Sequence, residues 1–90
     1  MTTDEAMSMV RQELERAQAA HPAFHSGHEG YAVVREEVDE LWDAVKASKT
    51  YTHYDEVVGR EAIQVAAMAV RFLIDLRERA SAQPWHRRLR

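Results

Sequence analysis

The chain has 90 residues, of which 46% are hydrophobic and 30% are charged, and its formal net charge is −3. A chain of this length forms one domain at most, and the composition is typical of a soluble folded protein rather than a disordered one. Because there is no cysteine, disulfides and thiolate metal sites are excluded. No basic stripe interleaved with aromatic residues is visible, which argues against a nucleic-acid partner.

The first residues, 1–5, lack the basic segment and the apolar stretch of a signal peptide, and no apolar run approaches the ~18 residues that a membrane span needs. We therefore expect a cytoplasmic protein with no membrane partner. Only three glycines and two prolines occur, and no stretch alternates β-branched with polar residues. The predicted fold is all-α: a three-helix subunit forming one domain over residues 1–80, followed by a basic C-terminal tail over residues 81–90.

The first predicted helix covers residues 3–20. Thr3 is a suitable N-cap, and the acidic residues of the first turn favour the positive end of the helix dipole. Pro22 ends the helix, because a proline pushes the residue before it out of the helical region. The apolar residues at helical spacing form a seam that consists of Met7, Val10, Leu14 and Ala17.

The second predicted helix covers residues 28–48, and its seam consists of Val34, Val38, Leu41 and Val45. Gly30 near its start costs under about 1 kcal/mol relative to alanine and indicates a close approach of another part of the chain. The third predicted helix covers residues 53–80, and its seam consists of Val58, Ala62, Val65, Ala69, Phe72 and Leu76.

The middle of the third helix, residues 62–70, is apolar on nearly every side. Such a helix must be covered on more than one face, and the two other helices of a small subunit do not suffice. A second copy packed against its small alanines would cover it, so we expect a homodimer, or a tetramer made by doubling it, that completes a helical bundle. The alternative is a monomer with an exposed apolar stripe, which soluble monomers rarely tolerate.

Acidic residues crowd the middle of the second helix. On a helical wheel, Glu36, Asp39 and Asp43 lie opposite the seam, and we interpret them as ordinary solvent-facing acids. Glu37 and Glu40 lie about 60° and 120° to one side of the seam. This places Glu37 at the border of the buried surface.

On the third helix, Glu61 and Gln64 lie at the same two angles from their own seam. If the second and third helices pack antiparallel, three carboxylates and one amide converge on one pocket. Like charges that close are costly unless a cation neutralises them or they take up protons. Hard oxygen ligands suit Mg²⁺, whose coordination is commonly completed by water and substrate phosphates. The pattern therefore predicts a magnesium site.

Two segments resemble the EExxE…ExxD signature of the MazG-type nucleoside triphosphate pyrophosphohydrolases, an all-α group: EEVDE at 36–40 and, twenty residues later, EAIQ at 61–64. The segment HEGYAVV at 28–34 and the residues that follow the second motif are similar to small stand-alone bacterial and phage members. The resemblance covers roughly residues 5–78.

The resemblance implies Mg²⁺-dependent cleavage of a nucleoside or deoxynucleoside triphosphate between its α- and β-phosphates, with Mn²⁺ as an alternative metal. By position, the metal ligands and catalytic carboxylates would be Glu37, Glu40 and Glu61. Glu36 would lie next to these ligands without binding the metal, or would bind a second metal ion. Gln64 stands where the pattern has Asp. Its amide still offers an oxygen ligand, but it carries no negative charge and cannot act as a base.

Four other side chains are candidates for a functional role. Arg71 lies on the Gln64 side of the third helix and could contact a substrate phosphate, although a solvated or ion-paired surface arginine is the commoner case. His25 and His28 flank the start of the second helix, where they could contact substrate or serve as a cap or a loop hydrogen-bonding group. Trp42 lies beside the seam, which favours a core or interface position.

Two other classes of function stay open at this stage. One is a catalytically weak relative that binds nucleotides or a protein partner on the same scaffold, which Gln64 motivates. The other is a helical assembly module with a solvated acidic face. Binding of metal together with nucleotide would separate the module from the first two classes, and release of pyrophosphate would separate the enzyme from the nucleotide binder.

Overall fold

A computed structural model describes residues 1–47 and 52–81, with side chains through residue 78. It contains three helices in the order α1 (Thr3–Ala20), α2 (Gly27–Lys46) and α3 (Tyr54–Ser81), and there is no strand in the described ranges. The predicted all-α class is confirmed, and each predicted helix exists within two residues of its expected bounds. The predicted basic tail lies, apart from its first residue, outside the described residues.

The first two helices begin with side-chain caps. Thr2, rather than the predicted Thr3, is the N-cap of α1: its hydroxyl accepts a hydrogen bond from the backbone N–H of Glu5, and the Glu5 carboxylate accepts one from the Thr2 N–H. This reciprocal pair requires a spacing of three residues, which only Thr2 has to Glu5. At the start of α2, Ser26 Oγ accepts from the N–H of Glu29.

Helix α3 is the central element and packs against both α1 and α2. The hydroxyl of Tyr54 donates to the Val45 carbonyl near one end of the α2–α3 pair, and Gly30 faces Phe72 near the other. These contacts run in opposite chain directions, so α2 and α3 are antiparallel as expected. The buried core consists of Ala17, Phe24, Ala67 and Met68, with Val10, Leu14, Val33, Val34 and Phe72 packed around it.

Gly30 is buried at the α2–α3 contact. A Cβ atom at this position would lie 2.5 Å from Cδ1 of Phe72, which is closer than any real contact of this kind. The absence of a side chain therefore lets the ring of Phe72 lie against the backbone of α2. The close approach predicted for this glycine is confirmed.

The predicted seams of α2 and α3 are rotated relative to the buried faces. On α2 the buried positions are Gly30 and Ala44, whereas Val38 of the predicted seam is 44% exposed. On α3 the fully buried positions are Ala67, Met68 and Arg71. The prediction failed on α3 because a helix that is apolar on most sides has no hydrophobic direction for a periodicity to find.

The seam predicted on α3 is consequently in large part exposed. Ala62, Ala69 and Leu76 of that seam are exposed, and so is the neighbouring Leu73, at 58%. On α1, Met7 is 61% exposed, although Ala17 at the other end of the same seam is buried. None of the described helices is long and apolar enough to cross a membrane. Within the part of the chain that the structure describes, this apolar face of α3 is exposed.

Candidate metal centre

Three glutamates from two helices meet at one point of the α2–α3 interface. Glu37 and Glu40 lie one turn apart on α2, and Glu61 lies opposite them on α3. One carboxylate oxygen from each lies within 4.8 Å of the others. The structure thus brings together the three carboxylates that the two helical wheels predicted to converge, and the antiparallel packing of the helices is the cause. We call Glu37, Glu40 and Glu61 the acidic cluster.

Glu37 is the least solvated member of the acidic cluster. Its Oε2 atom is buried and accepts no hydrogen bond from the residues that the structure describes. The pKa of the Glu37 carboxyl is raised to about 7, first by burial and then by the neighbouring carboxyls of Glu40, Glu61 and Glu36, in that order. The buried face of α2 is rotated relative to the predicted seam, so Glu37 lies inside the packed face rather than at its border. This position explains the burial and the raised pKa of Glu37. A buried carboxylate oxygen without a donor is costly unless a proton or a cation satisfies it.

The donor set fits a hard divalent cation. Mg²⁺ and Ca²⁺ take carboxylate oxygens at roughly 2.0–2.6 Å, so oxygens that share one ion lie up to roughly 4–5 Å apart. The separations within the acidic cluster agree with this limit. Two of the three residues are half-buried and Glu40 is exposed, which leaves one side of the cluster open to water or a ligand.

The other acids of α2 lie outside the acidic cluster. Glu36, Asp39 and Asp43 are all exposed, as the helical wheel predicted. Glu36 was a candidate for a place beside the metal, and its charge makes the smallest contribution to the raised pKa of Glu37. The structure therefore does not bring Glu36 together with the three converging carboxylates.

Gln64 lies one turn after Glu61 on α3 and is half-buried. Its amide is close enough to the carboxylate of Glu13 on α1 to help lower the pKa of that carboxyl, although the larger cause is the hydrogen bond from Arg16. Glu13 and Arg16 form an ion pair one turn apart on α1. Gln64 therefore connects the edge of the acidic cluster to the first helix.

Sequence reasoning missed Glu13. The signal that could have found it is its position among buried neighbours of α1. It lies next to Leu14 and one turn before Ala17, so its carboxylate is at the edge of the packed face. Charged residues at such a position usually have a partner on the facing helix.

A cavity of about 350 Å³ adjoins the acidic cluster, and Glu37 lines it. It lies between α1, the connection that follows α1, and the facing sides of α2 and α3. The apolar part of the wall includes Ala17, Phe24, Val33 and Met68, and the polar part consists of Arg16, His21, Glu29, Glu37, Gln64 and Arg71. A partly apolar hollow with a few polar groups is the usual form of a small-molecule site.

The remaining candidates have different surroundings from those expected. Arg71 lines the cavity, is only 4% exposed and pairs with Asp75, so the interpretation as a solvated or ion-paired surface arginine is right about the ion pair and wrong about the surface position. His28 is exposed in the first turn of α2 and is not part of the cavity wall, and His25 uses its backbone N–H to donate to Glu29. Trp42 is 57% exposed, so it is not a core residue.

Comparison of the chain with protein-family models, with curated proteins and with solved structures finds no match. The family resemblance seen in the two acidic motifs therefore stays a prediction. The function has to be argued from the acidic cluster and the cavity beside it.

Proposed function

We propose that the protein is a Mg²⁺-dependent nucleoside triphosphate pyrophosphohydrolase that converts a nucleoside or deoxynucleoside triphosphate to the monophosphate and pyrophosphate. The observation that carries the proposal is the acidic cluster, in which three carboxylates converge and one of them, Glu37, has a buried oxygen that no described residue satisfies. The EEVDE and EAIQ motifs that supply these residues also carry the family resemblance. Geometry and sequence pattern thus select the same three side chains.

The three carboxylates have a definite task in this proposal. Glu37, Glu40 and Glu61 would hold the cation, which would supply stabilisation of negative charge on the phosphates. The raised pKa of Glu37, about 7, means that this carboxyl exchanges its proton near neutral pH. This value belongs to the metal-free site. A bound cation would lower the pKa and keep Glu37 ionised, so that the carboxylate could hold the cation and orient an attacking water. Glu40, which is exposed, is the member that incoming solvent reaches most readily.

The cavity gives the substrate a place next to the acidic cluster. Glu37 belongs to both, so a ligand in the cavity would extend directly to the carboxylates. Gln64 lies on the same wall and offers an uncharged oxygen at the position where the family pattern has Asp. Three carboxylates and one amide would still provide an all-oxygen ligand set for Mg²⁺.

A pyrophosphate-release screen tests the proposal directly. The purified protein is incubated with each of the common nucleoside and deoxynucleoside triphosphates, with Mg²⁺ or Mn²⁺, and pyrophosphate is measured. We expect metal-dependent release for at least one of them. Calorimetric titration with Mg²⁺ and a non-hydrolysable nucleotide decides among the alternatives. Binding without turnover would indicate the weak nucleotide-binding relative, and no binding at all would indicate the helical assembly module.

We also propose that the working form is a homodimer, or a tetramer built from it. The support is the open apolar face of α3, where Ala62, Ala69, Leu73 and Leu76 recur at helical spacing. Small alanines allow a second helix to approach closely, and an identical face on a second copy would cover the leucines. Sedimentation equilibrium at micromolar concentration should give at least twice the 10.4 kDa chain mass. A monomer under these conditions would refute the assembly.

A further inference from the structure

Arg71 is a buried arginine whose contacts lead away from the acidic cluster. It is 4% exposed, and its Nη2 atom donates to the backbone carbonyls of His21, at 3.3 Å, and of Pro22. Its guanidinium carbon lies 4.5 Å from the centre of the Phe24 ring. Three residues of the α1–α2 connection are therefore in contact with one side chain of α3.

Asp75 completes this arrangement one turn further along α3. Its Oδ2 atom accepts a hydrogen bond of 2.9 Å from the backbone N–H of Phe24 and lies 3.8 Å from Nε of Arg71. The Phe24 ring also packs edge-on against Phe72, with ring centres 6.4 Å apart. The α1–α2 connection is thus attached to α3 through the backbone carbonyls of His21 and Pro22 and through the backbone N–H of Phe24.

The attached segment forms one wall of the cavity beside the acidic cluster. His21, Pro22 and Phe24 all line that cavity, as does Glu37. A loop held only by its own chain would leave this wall undefined, because a free loop samples many conformations. The side chains of Arg71 and Asp75 supply the fixed points that the loop lacks.

The same contacts argue against Arg71 as a phosphate ligand. Its Nη2 and Nε groups already face two carbonyls and a carboxylate, and its face covers an aromatic ring. Moving the guanidinium to a phosphate would leave Asp75 buried without its cation, which is strongly unfavourable. Arginine is also the side chain best suited to bridge several acceptors at once.

We infer that Arg71 and Asp75 are positioning residues that hold the segment 21–24 in place as the cavity wall, and that they thereby set the affinity for the ligand that enters the cavity next to Glu37. This inference rests on the proposed function, because it takes that ligand to be the nucleotide. Arg71 acts through the backbone of the loop and does not touch the reacting phosphates. The metal itself is held by other residues.

The test compares Arg71→Met with Arg77→Met. Both changes remove an arginine of α3, but Arg77 is exposed. We expect Arg71→Met to raise KM, and the dissociation constant of a non-hydrolysable nucleotide, by about tenfold or more, while kcat and the Mn²⁺ dissociation constant measured without nucleotide change by less than about threefold. The amide of Phe24 should exchange its hydrogen faster. Arg77→Met should leave all of these quantities unchanged.

A milder variant keeps the test valid if Arg71→Met does not fold. Asp75→Asn loses the charge opposite Arg71 but retains an acceptor for the Phe24 N–H, so it should raise KM less than Asp75→Ala, which removes both and should raise KM in the same way as Arg71→Met. This rescue by the conservative variant would not occur if the charge of Asp75 alone mattered. Circular dichroism confirms the fold of each variant.

Four outcomes would overturn the inference. Faster Phe24 exchange with unchanged nucleotide affinity would show that the segment does not shape the ligand site. A fall in kcat at constant KM would make Arg71 a group that acts on the reacting phosphates. A wild-type protein that binds Mn²⁺ but no nucleotide would refute the proposed function and the ligand named here. A functional wild type with unaffected variants would refute only the role of Arg71 and Asp75.

Discussion

A helix of a small subunit usually packs its apolar side chains inside and turns its polar side chains to solvent. The two faces of α3 reverse this arrangement. The face packed against α1 and α2 carries Glu61, Gln64, Arg71 and Asp75 beside Ala67 and Met68. The opposite face carries Ala62, Ala69, Leu73 and Leu76 and is open to solvent. Polar side chains in the packed interior are costly unless each has a partner, so they are retained where they hold a ligand or fix a loop.

The two faces of α3 also differ in how their side chains are satisfied. On the packed face, Arg71 and Asp75 are satisfied by the α1–α2 connection, whereas Glu37 on α2 has a buried oxygen that no residue of the described ranges satisfies. On the open face, nothing in the described ranges 1–47 and 52–81 covers the apolar side chains of Leu73 and Leu76. The packed face would therefore be completed by a cation and a ligand, and the open face by a second copy of the chain.

The largest effect is expected from removing a carboxylate of the acidic cluster. Glu37→Gln or Glu61→Gln should lower metal-dependent activity by at least about a hundredfold, since even groups that only support metal ligands cost 10–100-fold when removed. In the metal-free protein, Glu37→Gln should raise the melting temperature, because it relieves repulsion among the carboxylates. The matched control Asp39→Asn removes an exposed acid from the same helix and should be near neutral. An essential Asp39 beside a dispensable Glu37 would contradict the proposed site.

The open face of α3 can be tested with a charge. Ala69→Glu should weaken self-association by about a hundredfold or more, because an unpaired carboxylate buried in an apolar interface costs several kcal/mol. Ala19→Glu makes the same change at an exposed position of α1 and serves as the control. Sedimentation velocity over a concentration series would measure both. If Ala69→Glu associates as strongly as the wild type, the interface lies on another surface.

Gln64→Asp examines the edge of the packed face. A carboxylate in place of the amide adds a full charge beside the acidic cluster, so Mg²⁺ should bind about tenfold more tightly, roughly 1.4 kcal/mol. The structure also shows a cost to stability that the motif alone does not reveal. The new carboxylate would lie near the carboxylate of Glu13, and the two negative charges would repel each other. The metal-free protein should therefore melt at a lower temperature, and the additional change Glu13→Gln should recover part of the loss. Unchanged metal affinity and melting temperature would mean that position 64 does not contribute to the site.

The smallest effect is a pH dependence of the metal-free protein. The pKa of Glu37 is about 7 in the folded state and 4.5 in its reference state, so the folded protein binds this proton more tightly than the unfolded chain does. The associated stability is fully present below pH of about 4.5 and is lost as the pH rises through about 7. Melting temperatures from pH 5 to pH 8 should therefore fall, and the fall should be absent in Glu37→Gln. Below pH 7, the apparent affinity for Mg²⁺ should decrease by up to about tenfold per pH unit, because the cation competes with the proton.

The acidic motifs predicted which carboxylates converge better than the apolar seams predicted which faces of the helices are buried. Charged residues at i, i+3 on two antiparallel helices define a meeting point whose position changes little when each helix rotates by a few tens of degrees. The same rotation moves Val38 from a predicted core position to the surface. The environment of Glu37, its raised pKa and its unsatisfied oxygen depend on that rotation and were not foreseen.

The sequence by itself determined the all-α class, the approximate bounds of the helices, the close approach at Gly30 and the identity of the three converging carboxylates. Each of these follows from local spacing, from capping chemistry or from the period of the helix. The tertiary structure alone decided which side of α3 is buried, that Arg71 holds the α1–α2 connection and that Glu13 lies beside Gln64. These contacts join residues about 50 positions apart, and on a helix that is apolar nearly all round only the packing of α1 and α2 selects the buried side.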